Sequence, residues 1–173
     1  PRFIIDTKIP QTALATRQIV KGRSIATTKC LYVDSTGSLI EQLFDGTSKK
    51  IKTDTSGRSI KYSTIDLEND GYTDYLISNE SSLEVLGPDM SLVKYLQFNT
   101  KFTTALNHLF FGQKDYFYSI ENGDLSVFND VGELLSEFPK KSGFKPAISE
   151  KNKDGKVNLV FISGKKVVAQ LLR

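Results

Sequence analysis

Tryptophan is absent from this 173-residue chain, and cysteine and histidine occur once each, as Cys30 and His108. A single cysteine cannot close an internal disulfide, and one histidine leaves little material for an imidazole-based zinc site or a histidine-dependent nucleophilic triad. The sequence also lacks a Gly-rich phosphate loop, a His-Glu-x-x-His pair and a Gly-x-Ser-x-Gly elbow. No catalytic residue is assigned, and the chain is not read as an enzyme. No apolar run approaches the roughly 20 residues of a membrane-crossing helix, so no membrane span is expected in this chain. The chain begins at Pro1, and the missing leader pattern carries no information on compartment. An excess of one charge is lacking too: 23 basic residues face 20 acidic ones, the signs are interleaved, and the net charge is +3. A nucleic-acid partner is therefore not implied. The basic pairs Lys49-Lys50, Lys140-Lys141 and Lys165-Lys166 stand beside turn residues and read as solvated strand edges. With 39% hydrophobic and 25% charged residues the composition is that of a folded chain.

What is present is a repeat. Short apolar runs begin at Leu31, Tyr75, Tyr116 and Leu159, which are 44, 41 and 43 residues apart. Each is followed by a polar turn and a second β-like run starting at Leu39, Leu83, Leu125 or Val167, so each unit contains a hairpin. Turn chemistry at Asp45-Gly46, Gly87-Pro88-Asp89 and Asn129 to Gly132 leads into third strands at 48–52, 92–98 and 134–138. Inner strands are supplied by 60–65, 104–106 and 146–148. Four antiparallel strands recurring every 40–50 residues or so are the pattern of β-propeller blades. The expectation is an all-β, β-propeller-like array of about four four-stranded antiparallel blades in one repeat domain, 1–173, with units near 9–54, 55–100, 101–143 and 144–173. The last unit shows three strands, and Phe3-Ile4-Ile5, within a strand over 1–8, is expected to complete it. Gln11 to Val20 reads as a helical turn or a strand. The alternative is a β-sandwich, which would not by itself require the register to repeat.

The main chemical motif is Asp66-Leu67-Glu68-Asn69-Asp70-Gly71-Tyr72-Thr73-Asp74, standing just before a recurring strand. Oxygen donors at alternate positions around a glycine turn can wrap one hard cation. Asp66, Glu68, Asp70 and Asp74 would give side chains and Tyr72 its carbonyl. Residue 77 is Ile, where a helical calcium loop needs a bidentate Glu, so this is not an EF-hand. Moving 84 residues on arrives at a weaker copy, in which Glu150, Asn152, Asp154 and Asn158 are the candidate ligands and three lysines intervene. In the unit between them Leu109 and Phe111 fill the ligand slots, and the reading there is a loop that kept its shape without its metal chemistry.

The motif resembles the calcium loops of FG-GAP and VCBS-type repeats, found in integrin-like propellers, over about residues 60–173. Asp66, Asp70, Gly71 and Asp74 match, and Glu68 stands where those repeats carry Asp or Asn. The resemblance implies calcium as the cofactor and an extracytoplasmic setting, whether secreted, periplasmic or at the cell surface. The function it implies is a non-catalytic binding or structural module with a protein or glycan partner. The alternative is a carbohydrate-active or carbohydrate-binding propeller fragment of a larger chain. His108 is read as a loop or packing residue, Cys30 as a small buried apolar residue, and Tyr116-Phe117-Tyr118 as core rather than a binding platform. Asn79-Glu80-Ser81 matches a glycosylation acceptor pattern that arises often by chance.

Overall fold

A computed structural model describes residues 17–22, 24–53, 60–67, 70–111, 114–149 and 158–171. The expected strand over 1–8 lies outside these residues. The chain divides into two compact units, 1–60 and 61–173.

In the first unit, β1 (Gln18–Val20), β2 (Lys29–Val33), β3 (Ser38–Leu43) and β4 (Ser48–Thr53) form an antiparallel sheet in chain order. Leu31, Val33 and Leu39 are fully buried. Asp34 shapes the β2–β3 turn by accepting the amides of Thr36 (2.9 Å) and Ser38 (3.0 Å). The Thr36 hydroxyl leads those hydrogen bonds in holding the Asp34 carboxyl below its usual range. Lys29 and Glu41 pair across the sheet at 2.8 Å. The thiol of buried Cys30 is pushed up, chiefly by burial, which leaves it a packing group.

The second unit contains three sheets. One is β5 (Lys61–Ile65), β6 (Asp74–Ser78), β7 (Ser82–Leu86) and β8 (Leu92–Gln97), and another is β9 (Asn107–Phe111), β10 (Lys114–Glu121), β11 (Asp124–Phe128) and β12 (Lys140–Lys141). The last is β13 (Ala147–Ile148), β14 (Asn158–Ser163) and β15 (Lys166–Leu171), three-stranded among the described residues. Each sheet runs antiparallel in chain order, as a meander does. Lys49-Lys50 fall on β4 and Lys140-Lys141 on β12, while Lys165 ends the turn before β15 and Lys166 opens it; all three are edge strands of the described sheets. There they obstruct edge-to-edge pairing.

Side chains alternate across a strand, so a strand with a sheet on either side must be apolar on both faces. Strand β10 meets that condition. Phe117 joins Leu76, Leu83, Val85 and Phe128 in one core, while Tyr116 and Tyr118 join Leu125, Leu159 and Phe161 in another. The β10–β11 turn is Asn122-Gly123, with φ of 52° and 77°. Such a two-residue turn needs positive φ at both positions, and Asn and Gly tolerate it.

Two expected strands are displaced. The inner strand of the third sheet is β9, not 104–106, because the backbone of 103–106 is satisfied by side chains instead of a ladder. Glu121 accepts the amides of Thr103 and Thr104, Ser78 Oγ accepts that of Leu106 (2.9 Å), and Ser63 Oγ donates to the Leu106 carbonyl (2.7 Å). Asn107 to Phe111 are therefore strand, so the loop shape expected there was not kept. The outer strand expected over 134–138 is reduced to a bridge between Leu134 and Phe128, followed by the two-residue β12. Phe138 turns into the core and its amide bonds back to the Leu135 carbonyl (2.9 Å), which draws the chain out of the sheet.

Phe98, Phe102 and Phe128 pack edge to face in all three pairings, with centroids 5.0, 5.1 and 5.4 Å apart. Phe102→Ala is expected to cost about 3–5 kcal/mol of unfolding free energy, whereas Phe110→Ala, at a side chain 62% exposed, stays within about 0.5 kcal/mol. Urea denaturation of the two variants checks the contrast, and equal losses would count against this core.

Candidate functional site

The acidic loop joins β5 to β6, as the repeat register expects. Asp66 accepts the amides of Asp70 and Gly71 on its two oxygens, both at 2.9 Å, and Asp70 accepts that of Tyr72 at 2.8 Å. Gly71 sits at φ 85°. Asp66, Asp70 and Tyr72 are exposed, Asp74 is 5% exposed, and Asp74 Oδ2 accepts the Leu67 amide at 2.7 Å. Burial pushes the Asp74 carboxyl up, and the negative charges of Asp70 and Asp66 add to that push, while the Leu67 amide opposes it. The donors are oxygens of the kind that suits a hard cation. Glu68 lies outside the described residues, and among those described no three His, Cys, Asp or Glu side chains gather closely enough to hold a metal ion. In the weaker copy Glu150, Asn152 and Asp154 also lie outside them. Asn158 opens β14, and its amide donates to Ser149 Oγ at 3.0 Å.

The register position of Asp74 is occupied by Asp115 in the next sheet, where it does different work. Asp115 Oδ1 meets His108 Nε2 at 2.8 Å and its Oδ2 meets Lys94 Nζ at 3.4 Å, which ties β8, β9 and β10 together. The imidazole packs against Phe117 at 5.5 Å. Burial dominates and holds the His108 pKa below its usual value, with Lys94 adding to that effect and Asp115 opposing it. Sequence reading treated His108 as a loop or packing residue and did not foresee this cluster. The signal was the seven-residue separation of His108 and Asp115, which a hairpin brings side by side.

A cleft of about 380 Å³ opens where the outer strand of the third sheet is interrupted. The turn after β11 is organised by Asn129, whose Oδ1 accepts the amides of Glu133 (2.8 Å) and Val131 (3.2 Å) and whose Nδ2 donates to Glu133 Oε2 (3.0 Å). Gly132 has φ 89°, and a Cβ there would lie 2.7 Å from the Gln97 carbonyl oxygen. Only glycine combines that backbone with that approach. The turn is thereby pressed against the end of β8, and the polar residues lining the cleft are Asn99, Thr100, Ser126 and Glu133. Its apolar lining is Phe128, Leu134 and Pro139. None of these residues was singled out as a site from the sequence.

No protein-family model matches the chain, and no curated protein matches it. Among solved structures it is similar to streptogramin B lyase, with a TM-score of 0.52 and 12% identity over 97% of this chain and 57% of that one. It is also similar to the WD40 domain of SCAP from fission yeast, with a TM-score of 0.49 and 14% identity over 94% of this chain and 42% of that one. Both are β-propeller-type folds. The fold is a propeller-like array. At these identities the likeness is one of fold alone, and this chain spans little more than half the length of the lyase.

His108 binds a proton more readily in the unfolded chain, where its pKa returns to about 6.5. The stability contributed by the neutral, buried ring is therefore present above that value and declines as pH falls below it. Thermal melts across roughly pH 7.5 to 5 are expected to fall more steeply for the wild type than for His108→Gln. Equal slopes would show that the imidazole is not protected as described.

Proposed function

We propose that the chain is a non-catalytic binding module of a secreted or surface protein, working through the cleft of the third blade and steadied by calcium at the acidic loop. The observation that carries this reading is the cleft itself. It lies where one sheet of a repeating array departs from the pattern of its neighbours, and departures of this kind recur beside functional sites. Its size falls within the ~300–1,000 Å³ range of small-molecule sites. Loops displayed on a rigid all-β scaffold are the usual carriers of recognition. Among the described residues no helix is long and apolar enough to cross a membrane.

In this reading calcium draws together Asp66, Asp70 and Asp74, whose side chains do not gather into a metal site on their own, with the Tyr72 carbonyl and Glu68, and Glu150, Asn152, Asp154 and Asn158 form a weaker site. Bound calcium supplies positive charge to a loop whose carboxylates repel one another. What supports it is the all-oxygen donor set on one short loop and the position of Asp74, whose carboxyl is raised first by burial and then by the negative charges of Asp70 and Asp66. A site of modest affinity fits an extracytoplasmic setting, where calcium is millimolar.

Two measurements test the two halves. With Kd near 10⁻⁴ M, ~1 mM calcium adds roughly 1.4 kcal/mol of stability, so the thermal midpoint rises by a few degrees. Asp70→Ala abolishes that rise, and a wild-type midpoint indifferent to calcium would remove calcium from the reading. Titration with a panel of neutral and charged saccharides and of peptides, followed by backbone NMR, is expected to move amide resonances of residues 99–100 and 132–134 saturably. Turnover of any panel member, lost on mutating one carboxylate, would replace the binding module with an enzyme.

A further inference from the structure

Resting on that reading of the cleft, we propose that it takes a neutral sugar ring, the terminal or internal unit of an uncharged glycan. The lining sets the chemistry. Asn99, Thr100 and Ser126 each offer both a donor and an acceptor, which is what vicinal hydroxyls require, because each hydroxyl also does both. Glu133 adds an acceptor. The bond from Asn129 Nδ2 to Glu133 Oε2 fixes the carboxylate before any ligand arrives, so its ordering need not be supplied by binding. Exposed Leu134 and Pro139 line the cleft together with the buried Phe128, and the C–H face of a pyranose is the apolar side of an otherwise polar ring.

Other ligand classes fit less well. No lysine or arginine is among the described residues that line the cleft, and Glu133 places a negative charge in it, so a phosphate, sulfate or carboxylate ligand finds no partner and meets repulsion. A wholly apolar ligand would strip water from Ser126, Asn99 and Thr100 with nothing in exchange. An extended peptide adding to the sheet would use the exposed edge beside the cleft, but β12 is only two residues long and carries Lys140 and Lys141. Gly132 contributes by what it lacks, since its backbone closes against the Gln97 carbonyl without a side chain.

The test is NMR titration of the full chain with glucose, galactose, mannose and N-acetylglucosamine and their short oligomers. Glucuronic acid and inorganic phosphate serve as charged comparisons, and a mixed peptide library as a second class. At least one neutral sugar is expected to shift the amides of 99–100 and 132–134 saturably. Binding should weaken about tenfold or more in Asn99→Ala and in Ser126→Ala, with the thermal midpoint unchanged. Glu133→Gln, which keeps an acceptor for Asn129, should weaken neutral sugars only slightly and relieve the exclusion of glucuronic acid. The proposal is overturned if no neutral sugar moves these resonances at up to about 50 mM, far beyond the millimolar range of even weak specific sites. Equal binding in the Asn99 and Ser126 variants, or a preference for the charged probes, overturns it as well. Peptides that shift the same resonances while sugars do not would end the sugar assignment and leave the binding module standing. Silence from every probe would end both.

Discussion

The second unit depends on the meeting of three phenylalanine rings where the sheet of β5–β8 faces that of β9–β12. Phe98 leaves β8, Phe102 sits in the connection and Phe128 ends β11, and each presents an edge to the others within 5.4 Å. Edge-to-face packing adds directional preference to the burial of large apolar area. With the rings in place the connection is fixed. Its backbone is then held by Glu80, Ser81, Ser78 and Glu121, through bonds from the Phe102 amide to the Glu80 carbonyl (2.6 Å) and from the Phe98 amide to the Ser81 carbonyl (2.8 Å) among others. The same rings underlie the cleft, since Phe128 is both a core residue and part of its lining.

Repetition and departure are divided by position within each sheet. The middle strands β6, β7 and β10 are the most apolar of their sheets, and β10 has a core on each face, where packing leaves water no access. The outer strands are freer. In the sheets of β1–β4 and β5–β8 the fourth strand is six residues long, and in that of β9–β12 it shrinks to two as Leu135 and Phe138 turn toward the core. The polar cost of leaving the sheet is offset by the Asn129 turn and by the bond from the Leu135 amide to the Val127 carbonyl (2.9 Å). A cavity opens because the diverted chain no longer covers the sheet edge.

One register position shows how the same residue type serves different ends. Asp74 accepts a loop amide and stands near two other carboxylates, while Asp115 accepts an imidazole and an ammonium. The difference comes from the connection preceding it. β5 ends at Ile65, well before Asp74, whereas β9 runs to Phe111 and brings His108 alongside Asp115. The candidate carboxylates of the acidic loop were legible from their alternation around Gly71. Of the histidine cluster only the His108–Asp115 spacing was legible, because Lys94 comes from another sheet and no local pattern marks its approach.

The sequence by itself determined the all-β class, the hairpin register of the four units and the polar edges. Each rests on local chemistry: alternating or doubly apolar strands, Asn-Gly and Asx turns, and lysines at strands with one open side. It also marked Tyr116 to Tyr118 as core, which the two clusters flanking β10 bear out. Tertiary structure decided what the repeat does not encode. It moved the inner strand of the third sheet to β9, because Ser63, Ser78 and Glu121 lie close enough to satisfy the backbone of 103–106. It diverted the expected strand over 134–138, where Phe138 enters the core, Leu135 packs against it and the Phe138 amide bonds back to the Leu135 carbonyl. Both outcomes depend on side chains brought together from distant parts of the chain, and a strand pattern carries no record of which neighbours it will meet.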